Sequence, residues 1–222
     1  MRKYDYSEKA TNEAKIDSRK YDAVCIGNNN LGSVFLHRSC GNKDSAIKIA
    51  ILIGMHPLES KAHRAIIDVI YSLDDELNYE YYIYNIDVTK DIDTKDEGRM
   101  DGQLLAQEFV APDIIDKNYD FFLDVHSNRG TVGPGGYEKT DFLFAPGFDE
   151  KSELILNKIL SRWDEIDYYI PEYRTSPEYI TVPTAKSGIA TIVYETYTYA
   201  EFSKIRDFAE KLVDILDNLD FN

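Results

Sequence analysis

Residues 46–59, with the sequence AIKIAILIGMHPLE, decide the expected architecture. The stretch Ala46–Ile53 is almost continuously apolar, which is typical of a strand buried on both faces of a parallel sheet. Gly54 ends this strand. Pro57 suits the first turn of a helix, because its missing N–H needs no partner there. We therefore expect a central strand that leads through a short turn into a helix over His56–Leu73.

Segments typical of strands and helices alternate along the rest of the chain. A hairpin is predicted where Asp22–Gly27 and Ser33–Arg38 flank a turn rich in Asn and Gly. Further strands are predicted at Tyr81–Val88, Tyr119–Val125, Phe142–Ala145, Tyr179–Pro183 and Ala190–Glu195. Further helices are predicted at Gln103–Val110, which Pro112 interrupts or ends, and at Lys151–Ile166 and Glu201–Leu219.

This alternation predicts an α/β fold with a mixed, mainly parallel central sheet flanked by helices. The length of 222 residues suits one domain. We assign residues 21–222 to that domain. Residues 1–20 are polar and poorly periodic, and we expect them to form an N-terminal arm.

The composition argues against several classes of function. A net charge of −15 would repel nucleic acid over most of the surface. No apolar stretch is long enough for a membrane helix, and the first residues lack the apolar core of a secretory signal. We therefore expect no nucleic-acid or membrane partner and a cytoplasmic location. Cys25 and Cys40 are too few for a disulfide framework, so both are expected to be reduced.

Three side chains next to predicted strand ends form a candidate metal site. His56 and Glu59 follow the first buried strand, and His126 directly follows another. The carboxyl ends of parallel strands meet at one edge of a sheet, where ligands bind. Two histidines and a glutamate are the donor set of a catalytic zinc site. The His-x-x-Glu spacing alone is weak evidence, because 40 of the residues are acidic. Taken singly, a histidine at a strand end is more often an ordinary polar group.

Other residues could complete a hydrolytic site. Asp124 shares a strand face with His126 and could hold its ring. Glu195 ends a predicted buried strand, and such burial raises a carboxyl pKa toward the range of a general base; a simple ion pair is the alternative. Arg99 and Arg129 are candidates to bind a substrate carboxylate through the planar guanidinium, although either could be a surface residue.

The two remaining histidines have no predicted function. His63 lies on the helix after the His-x-x-Glu motif and is expected to be a helix-surface group. His37 lies in the early hairpin, and the sequence suggests no partner for it.

The order of these residues resembles that of the zinc carboxypeptidase superfamily. This superfamily includes metallocarboxypeptidases and the succinylglutamate desuccinylase–aspartoacylase branch. The similar segments are IGMHPLES (53–60), DEGRMDG (96–102), FLDVHS (122–127) and TIVYET (191–196). Together the resemblance extends over residues 24–218, which is nearly the whole chain.

The resemblance implies a zinc carboxypeptidase-like fold and one zinc ion held by His56, Glu59 and His126. It implies hydrolysis of an amide bond next to a carboxylate, in a peptide or an N-acyl amino acid. Glu195 would be the general base, and Arg99 would contribute both to catalysis and to substrate binding.

The sequence departs from the family pattern at several positions. Gly98 stands where the family has an asparagine before the arginine, and Pro57 and Leu58 replace the usual residues of the first motif. Three residues could be the family's mobile tyrosine: Tyr173, Tyr179 and Tyr197. With Arg129, we place Tyr197 among the expected substrate-binding residues.

Two other functions are compatible with the sequence. The chain could be a non-catalytic protein that keeps the fold and binds a metal or another ligand. A nucleotide-binding protein is much weaker, because the segments around Gly27–Gly32 and Gly130–Gly136 fit no phosphate-binding pattern.

Overall fold

The computed structural model describes residues 16–90, 97–133, 135–147, 149–172 and 176–221. The strands are β1 Ala23–Asn29, β2 Gly32–His37, β3 Cys40–Gly41, β4 Lys48–Ile53, β5 Glu80–Val88, β6 Phe121–Asn128, β7 Phe142–Phe144, β8 Asp167–Tyr168 and β9 Ala190–Tyr197. The α-helices are α1 Ser60–Ser72, α2 Glu97–Leu105, α3 Ala111–Lys117, α4 Glu150–Leu160, α5 Thr181–Lys186 and α6 Phe202–Asp217.

The strands of these described ranges form one mixed sheet in the order β1-β2-β5-β4-β6-β9-β7-β8, with β3 paired to β5. The four central strands, β5, β4, β6 and β9, run parallel to one another. The β1–β2 hairpin joins β5 antiparallel, and β7 joins β9 antiparallel. The predicted α/β fold with a mixed, mainly parallel sheet is confirmed.

Helices cover both faces of this sheet, because each central strand is apolar on both sides. On one face, α1 and α6 pack together, with α4 beside them, and their apolar residues join those of the strands in one core. On the other face, α2 and α3 cover a second core that includes Leu52 and Phe122. None of the helices in the described ranges combines the length and apolar character that a membrane crossing requires.

The strand order is of the kind that usually leaves a crevice at one edge of a sheet. From β4 the chain passes to β5 on one side of β4 and later returns to β6 on its other side. At such a point the connections leave in opposite directions from the carboxyl ends of two neighbouring strands, so a crevice opens between them. The ends of β4 and β6 are the places where His56 and His126 occur.

One predicted strand is wrong. Tyr179–Pro183 was expected to be extended, but the chain forms a 3₁₀ turn at Ser176–Glu178 and then helix α5. The hydroxyl of Thr184 donates to the carbonyl of Ile180 at 2.8 Å, which supports the helical turn. Pro183 lies in the first turn of α5, where a missing N–H is tolerated. Of the residues that suggested a strand, Ile180 and Thr181 are buried at the start of this short helix.

The helix predicted at Gln103–Val110 is longer than expected. It begins at Glu97 and continues through a π-helical segment, Ala106–Val110, into α3. Pro112 has no N–H for the regular hydrogen-bond ladder, so the widened turn before it accommodates the proline without ending the helix.

Smaller differences occur at the ends of elements. The segment after β4 begins with a 3₁₀ turn, Pro57–Glu59, before α1. Helix α4 ends at Leu160, earlier than predicted, and the two-residue strands β3 and β8 were not anticipated. Of the expected N-terminal arm, residues 16–20 are described, and Ile16 and Ser18 are buried. Residues 1–15 lie outside the described ranges.

Candidate metal centre and active site

The turn after β4 places His56 and Glu59 side by side. Gly54 has a φ of +82°, and a Cβ atom there would lie 2.2 Å from the carbonyl oxygen of Ile86. Only glycine combines this conformation with so close an approach. The 3₁₀ turn that follows brings Glu59 back toward His56, whose Nδ1 lies 3.0 Å from Glu59 Oε1. Both side chains are buried.

His126 brings the third donor from the end of β6. Its Nδ1 lies 2.9 Å from Glu59 Oε2, and the N–H of Ser127 donates to the same oxygen at 3.1 Å. One donor atom from each of His56, Glu59 and His126 can be chosen so that all lie within 4.8 Å of one another. Two imidazoles and a carboxylate at this separation fit a single divalent cation. The three residues predicted from the sequence therefore converge.

Two further buried side chains approach the outer nitrogens of the histidines. Asp124 Oδ2 lies 3.0 Å from His126 Nε2, an ion-pair contact along one face of β6. Gln103, on α2, has its Nε2 3.3 Å from His56 Nε2. Each histidine thus turns Nδ1 toward Glu59 and Nε2 toward an orienting group, which is the usual arrangement around metal-binding histidines.

The charges in this cluster shift one another's pKa. Burial, together with the positive charge of Arg99, lowers the pKa of His56 to about 3. Burial alone would raise the pKa of Glu59, but the charges of His56, Arg99 and His126 outweigh it and hold that pKa well below its usual range. For His126, Asp124 and Glu59 outweigh burial and raise the pKa well above its usual value. The cluster therefore keeps Glu59 ionised, as a cation ligand must be.

Glu195 lies on β9 directly opposite His126 in the parallel register. Burial is the largest effect on its carboxyl group, and the negative charge of Glu59 adds to it, so the pKa rises to about 7. The charges of His126 and Arg99 and a hydrogen bond from Asn128 act in the opposite direction. A carboxyl group with a pKa near neutrality can exchange a proton at physiological pH.

Arg99 reaches the cluster from the other face of the sheet. It was expected in a loop, but it lies in the first turn of α2, and its Nη1 is 2.6 Å from Glu59 Oε1. The Arg99 side chain remains about one-third exposed in this ion pair. Gly98, which precedes it, is buried.

The expected substrate-binding residues Arg129 and Tyr197 follow or end the two strands that carry His126 and Glu195. Arg129 is half-buried at the start of the 3₁₀ turn Gly130–Val132, directly after β6. Tyr197 ends β9, and its ring centroid lies 5.6 Å from that of Tyr199. The assignments of Arg129 and Tyr197 to substrate binding stay predictions.

Of the other candidate tyrosines, Tyr179 lines a separate apolar pocket with Pro112 and Pro183. Tyr173 lies outside the described ranges.

Sequence reasoning missed Tyr137. The Tyr137 hydroxyl lies close enough to the site for its charges to affect its pKa. Burial is the main cause that raises this pKa, and the negative charges of Glu195 and Glu59 add to it, whereas the positive charge of Arg99 lowers it. Its ring packs edge-on against Phe142, with centroids 5.9 Å apart. The signal available in the sequence was its position at the end of the glycine-rich segment after His126.

Both remaining histidines have partners that the sequence did not reveal. The expectation that His63 lies on the helix surface is wrong: it is buried, and its Nε2 lies 3.0 Å from the carbonyl oxygen of Val125. That contact ties α1 to β6 one residue before His126. His37 is also buried, between the hydroxyl groups of Ser18 at 3.0 Å and Tyr71 at 3.2 Å.

The cysteines behave as predicted. Cys25 is exposed and Cys40 is buried, and both are free thiols. Burial raises the pKa of the Cys40 thiol to about 11, so it is unreactive at neutral pH.

The described residues combine a mixed α/β fold, shared with solved metallo-carboxypeptidases, and a potential His-Glu-His metal site. No protein-family model matches the chain, and no curated protein matches it by sequence. Solved structures match over nearly all of its length.

A metallo-carboxypeptidase from Pseudomonas aeruginosa, in complex with (2-guanidinoethylmercapto)succinic acid, matches with a TM-score of 0.56 and 13% identity. The match covers 96% of this chain and 69% of that one. A metallo-carboxypeptidase from Burkholderia cenocepacia matches with a TM-score of 0.55 and 13% identity over 95% of this chain and 68% of that one.

A protein of the succinylglutamate desuccinylase/aspartoacylase group from Shewanella amazonensis matches with a TM-score of 0.51 and 13% identity. That match covers 87% of this chain and 71% of the other. At these identities the likeness establishes the fold, which is the one that the sequence motifs predicted.

Proposed function

We propose that this protein is a zinc-dependent hydrolase that cleaves an amide bond next to a carboxylate, as a carboxypeptidase or an N-acyl amino acid deacylase does. The observation that carries the proposal is the convergence of His56, Glu59 and His126 within 4.8 Å, with Glu195 opposite His126 on the next strand. Metal-assisted hydrolysis requires a metal site, which two histidines and one glutamate can form, and a general base near it.

The donor set fits zinc better than magnesium or calcium. Two of the three donors are imidazole nitrogens, which zinc binds readily, whereas magnesium and calcium prefer oxygen ligands. A zinc ion held there would polarise a substrate carbonyl as a Lewis acid and favour the ionised form of water.

Residues of the chain carry out the proton transfers and bind the substrate. Glu195, ionised above pH 7, takes a proton from the attacking water and then carries it to the nitrogen of the leaving amine. Arg99 donates hydrogen bonds from its exposed part to the substrate carboxylate or to the oxygen that becomes negative during attack. Tyr137, which the charges of Glu195 and Glu59 reach, and Arg129 and Tyr197 are further candidates for substrate contact.

Neighbouring structures support this proposal in one respect. A protein with the same fold binds a succinic acid derivative, and it is named as a metallo-carboxypeptidase. A dicarboxylate is the kind of group that an arginine at the edge of such a crevice would recognise.

A non-catalytic protein with the same fold is the second candidate. Two observations favour it: Gly98 replaces the asparagine expected before the arginine, and Arg99 forms a close ion pair with Glu59 instead of standing clear for a substrate. Such a protein would bind a metal or a carboxylate ligand without turnover.

Metal analysis and a substrate panel separate the two. The purified protein is expected to contain one zinc per chain, and His126→Ala is expected to lose it while remaining folded. The wild type is expected to hydrolyse at least one member of a panel of N-acyl amino acids and of peptides with a free C-terminal carboxylate. The Glu195→Gln substitution is expected to lower kcat by about 10²–10⁴-fold. Zinc binding without turnover on any panel member would favour the binding protein, and a metal-free protein with a normal fold would refute the proposal.

A further inference from the structure

Asn128, the last residue of β6, is buried next to the proposed general base. It lies on the same strand as His126 and one position from the turn that leads to Tyr137. No motif or spacing in the sequence suggested a function for Asn128. Its side chain makes hydrogen bonds to three parts of the chain, including Glu195.

The hydrogen bonds of Asn128 fix the direction of its amide group. Its Oδ1 accepts from the N–H of Gly130 at 2.9 Å, which places the Nδ2 group on the opposite side. Nδ2 donates to the carbonyl oxygen of Thr140 at 2.8 Å and to Glu195 Oε2 at 3.2 Å. Rotating the amide by 180° would set oxygen against two acceptors and nitrogen against a donor, so one orientation is strongly preferred.

We propose that Asn128 is a positioning residue for Glu195, which holds Oε2 of the carboxylate so that Oε1 faces the reacting water. The inference rests on the proposed hydrolase function for its catalytic meaning. Its structural part, a carboxylate held in one orientation, stands on the hydrogen bonds alone.

Holding one oxygen of a catalytic carboxylate has two physical consequences. A carboxylate that rotates freely spends only part of its time aimed at the water, whereas a fixed one is oriented before the reaction begins. Donation from a neutral amide also favours the ionised form, against the burial that disfavours it. Glu59, His126 and Arg99 act on the same carboxyl group, so Asn128 is one of several contributors to its pKa of about 7.

The same amide also anchors the loop that follows β6. Gly130 adopts a φ of +58°, and Asn128 Oδ1 caps this turn. Thr140, the second anchor, lies just before β7. Asn128 therefore fixes both ends of the loop that carries Tyr137, and a substitution has to separate this contribution from the effect on Glu195.

Asn128→Asp keeps an oxygen for the N–H of Gly130, so the cap of this turn remains, and it removes the Nδ2 donor to Glu195 and to the carbonyl oxygen of Thr140. Thr140 accepts this bond through its backbone, so a crystal structure has to show whether the loop moves as well. In the zinc-loaded enzyme we expect kcat to fall by about 10–100-fold with KM changed less than about twofold. We also expect the acidic limb of the kcat/KM profile to move to higher pH, since a donor is lost and a negative charge is added next to Glu195. Asn128→Ala should give the same loss of kcat with a smaller shift of the limb.

Asn78→Ala is the matched control. Asn78 also donates its Nδ2 to a carboxylate, Asp217 Oδ2 at 3.0 Å, but at the opposite edge of the sheet. The control should lose stability while kcat and the acidic limb stay unchanged. If Asn128→Asp behaves like this control, Asn128 is merely structural and the proposal is overturned.

A crystal structure of Asn128→Ala tests the inference without any turnover. We expect the Glu195 carboxylate to occupy more than one orientation there, in contrast to the wild type. A carboxylate that keeps its single orientation would overturn the inference, even if the enzyme is active. A wild type that hydrolyses nothing would instead refute the proposed function and leave this structural comparison intact.

Discussion

His126 illustrates how single contacts give a side chain its chemistry. Its Nδ1 faces Glu59 and its Nε2 faces Asp124, so the ring has one nitrogen for a cation and one for an orienting carboxylate. Asp124 is itself buried on β6, and a buried carboxylate without such a partner would be costly. The ring and the carboxylate therefore stabilise each other in the geometry that a metal needs.

Asp124→Asn is expected to weaken zinc binding by about 10–100-fold. The amide keeps the size of the side chain but loses the negative charge that orients the imidazole and increases its basicity. Zinc affinity is measured by competition with a chromophoric chelator. Asp120→Asn is the control, because Asp120 lies just before the other end of β6 and accepts from the N–H of Lys48 at 2.9 Å. Equal affinities for the two variants would contradict the contribution of Asp124.

His37, at the end of β2, is expected to make the stability of the protein sensitive to acid. It lies on a different strand from the residues of the candidate metal site. Burial lowers its pKa from 6.5 to about 4 in the folded protein. Below pH 6.5 the unfolded chain binds a proton that the folded protein does not. The contribution of His37 to the free energy of unfolding is therefore fully present above pH 6.5. It is lost as the pH falls toward 4, which lowers the free energy of unfolding by up to about 3 kcal/mol.

His37→Gln is expected to reduce this loss. Glutamine can still bond to the hydroxyl groups of Ser18 and Tyr71, but it does not titrate. Urea unfolding at pH 7 and pH 4.5 gives the free energy of unfolding for both proteins. The difference between the two pH values should be smaller for the variant by about 1–3 kcal/mol. Identical differences would show that another group dominates the acid response.

At the scale of elements, α2 lies unusually close to the turn after β4. A Cβ atom on Gly102 would be 1.7 Å from the carbonyl oxygen of Met55, which leaves no room for any side chain. Arg99 and Gln103 flank this glycine and reach Glu59 and His56. The close packing of helix and turn therefore sets the distance at which α2 presents both side chains to the site.

Gly102→Ala should lower the free energy of unfolding by about 2–3 kcal/mol. In an unconstrained helix the same change would stabilise by up to about 1 kcal/mol, so the sign of the effect is diagnostic. Chemical denaturation measures it, and zinc affinity reports whether the site is displaced as well. Met100→Ala on the exposed side of the same helix should change stability by no more than about 0.5 kcal/mol. A more stable Gly102→Ala variant would refute the close packing.

For the whole molecule, Asp217 ties the end of α6 to the start of β5. Its buried carboxylate accepts from the N–H groups of Asn78 and Tyr79 and from the hydroxyl of Tyr81, at 2.8–3.2 Å. These partners are more than 130 positions away in the chain. The contact closes the edge of the sheet opposite the site and holds α6 on the core that it shares with α1.

Asp217→Ala is expected to cost about 3 kcal/mol, because it leaves buried N–H and O–H groups without acceptors. The melting temperature should fall by several degrees, whereas turnover below the transition should be unchanged. Asp214→Ala, on the exposed face of the same helix, serves as the control and should be close to neutral. Loss of activity in folded Asp217→Ala would show that this edge communicates with the site.

The predictions from the sequence succeeded where a pattern is local. The apolar run before Gly54, the His-x-x-Glu spacing and the apolar runs that lead to His126 and Glu195 are patterns of a few neighbouring residues. The strands continue two residues beyond His126 and Glu195, which is further than predicted. The predictions failed where local pattern is ambiguous. The segment at 179–183 has strand-like residues but forms a helix. Of the two alternatives for Pro112, it accompanies an interruption of the regular α-helix and does not end it.

Some members of the candidate site could not be predicted from any local pattern. Asn128, Gln103 and Tyr137 have neither a motif nor a periodicity that distinguishes them. His63 looks like a surface residue on its helix, and it is buried only because α1 packs against the end of β6. These residues depend on contacts between elements that are far apart in the sequence.

The sequence by itself determined where the central strands approach their carboxyl ends, to within a few residues, and with that the edge of the sheet where His56, His126 and Glu195 lie. The tertiary structure alone decided that β6 returns beside β4 and that β9 follows it, so that Glu59 lies between the two histidines and Glu195 lies opposite His126. The physical reason is that a continuous apolar run encodes burial of a strand on both faces, whereas the order of parallel strands is set by how helices pack on those faces. That packing is a property of the whole core.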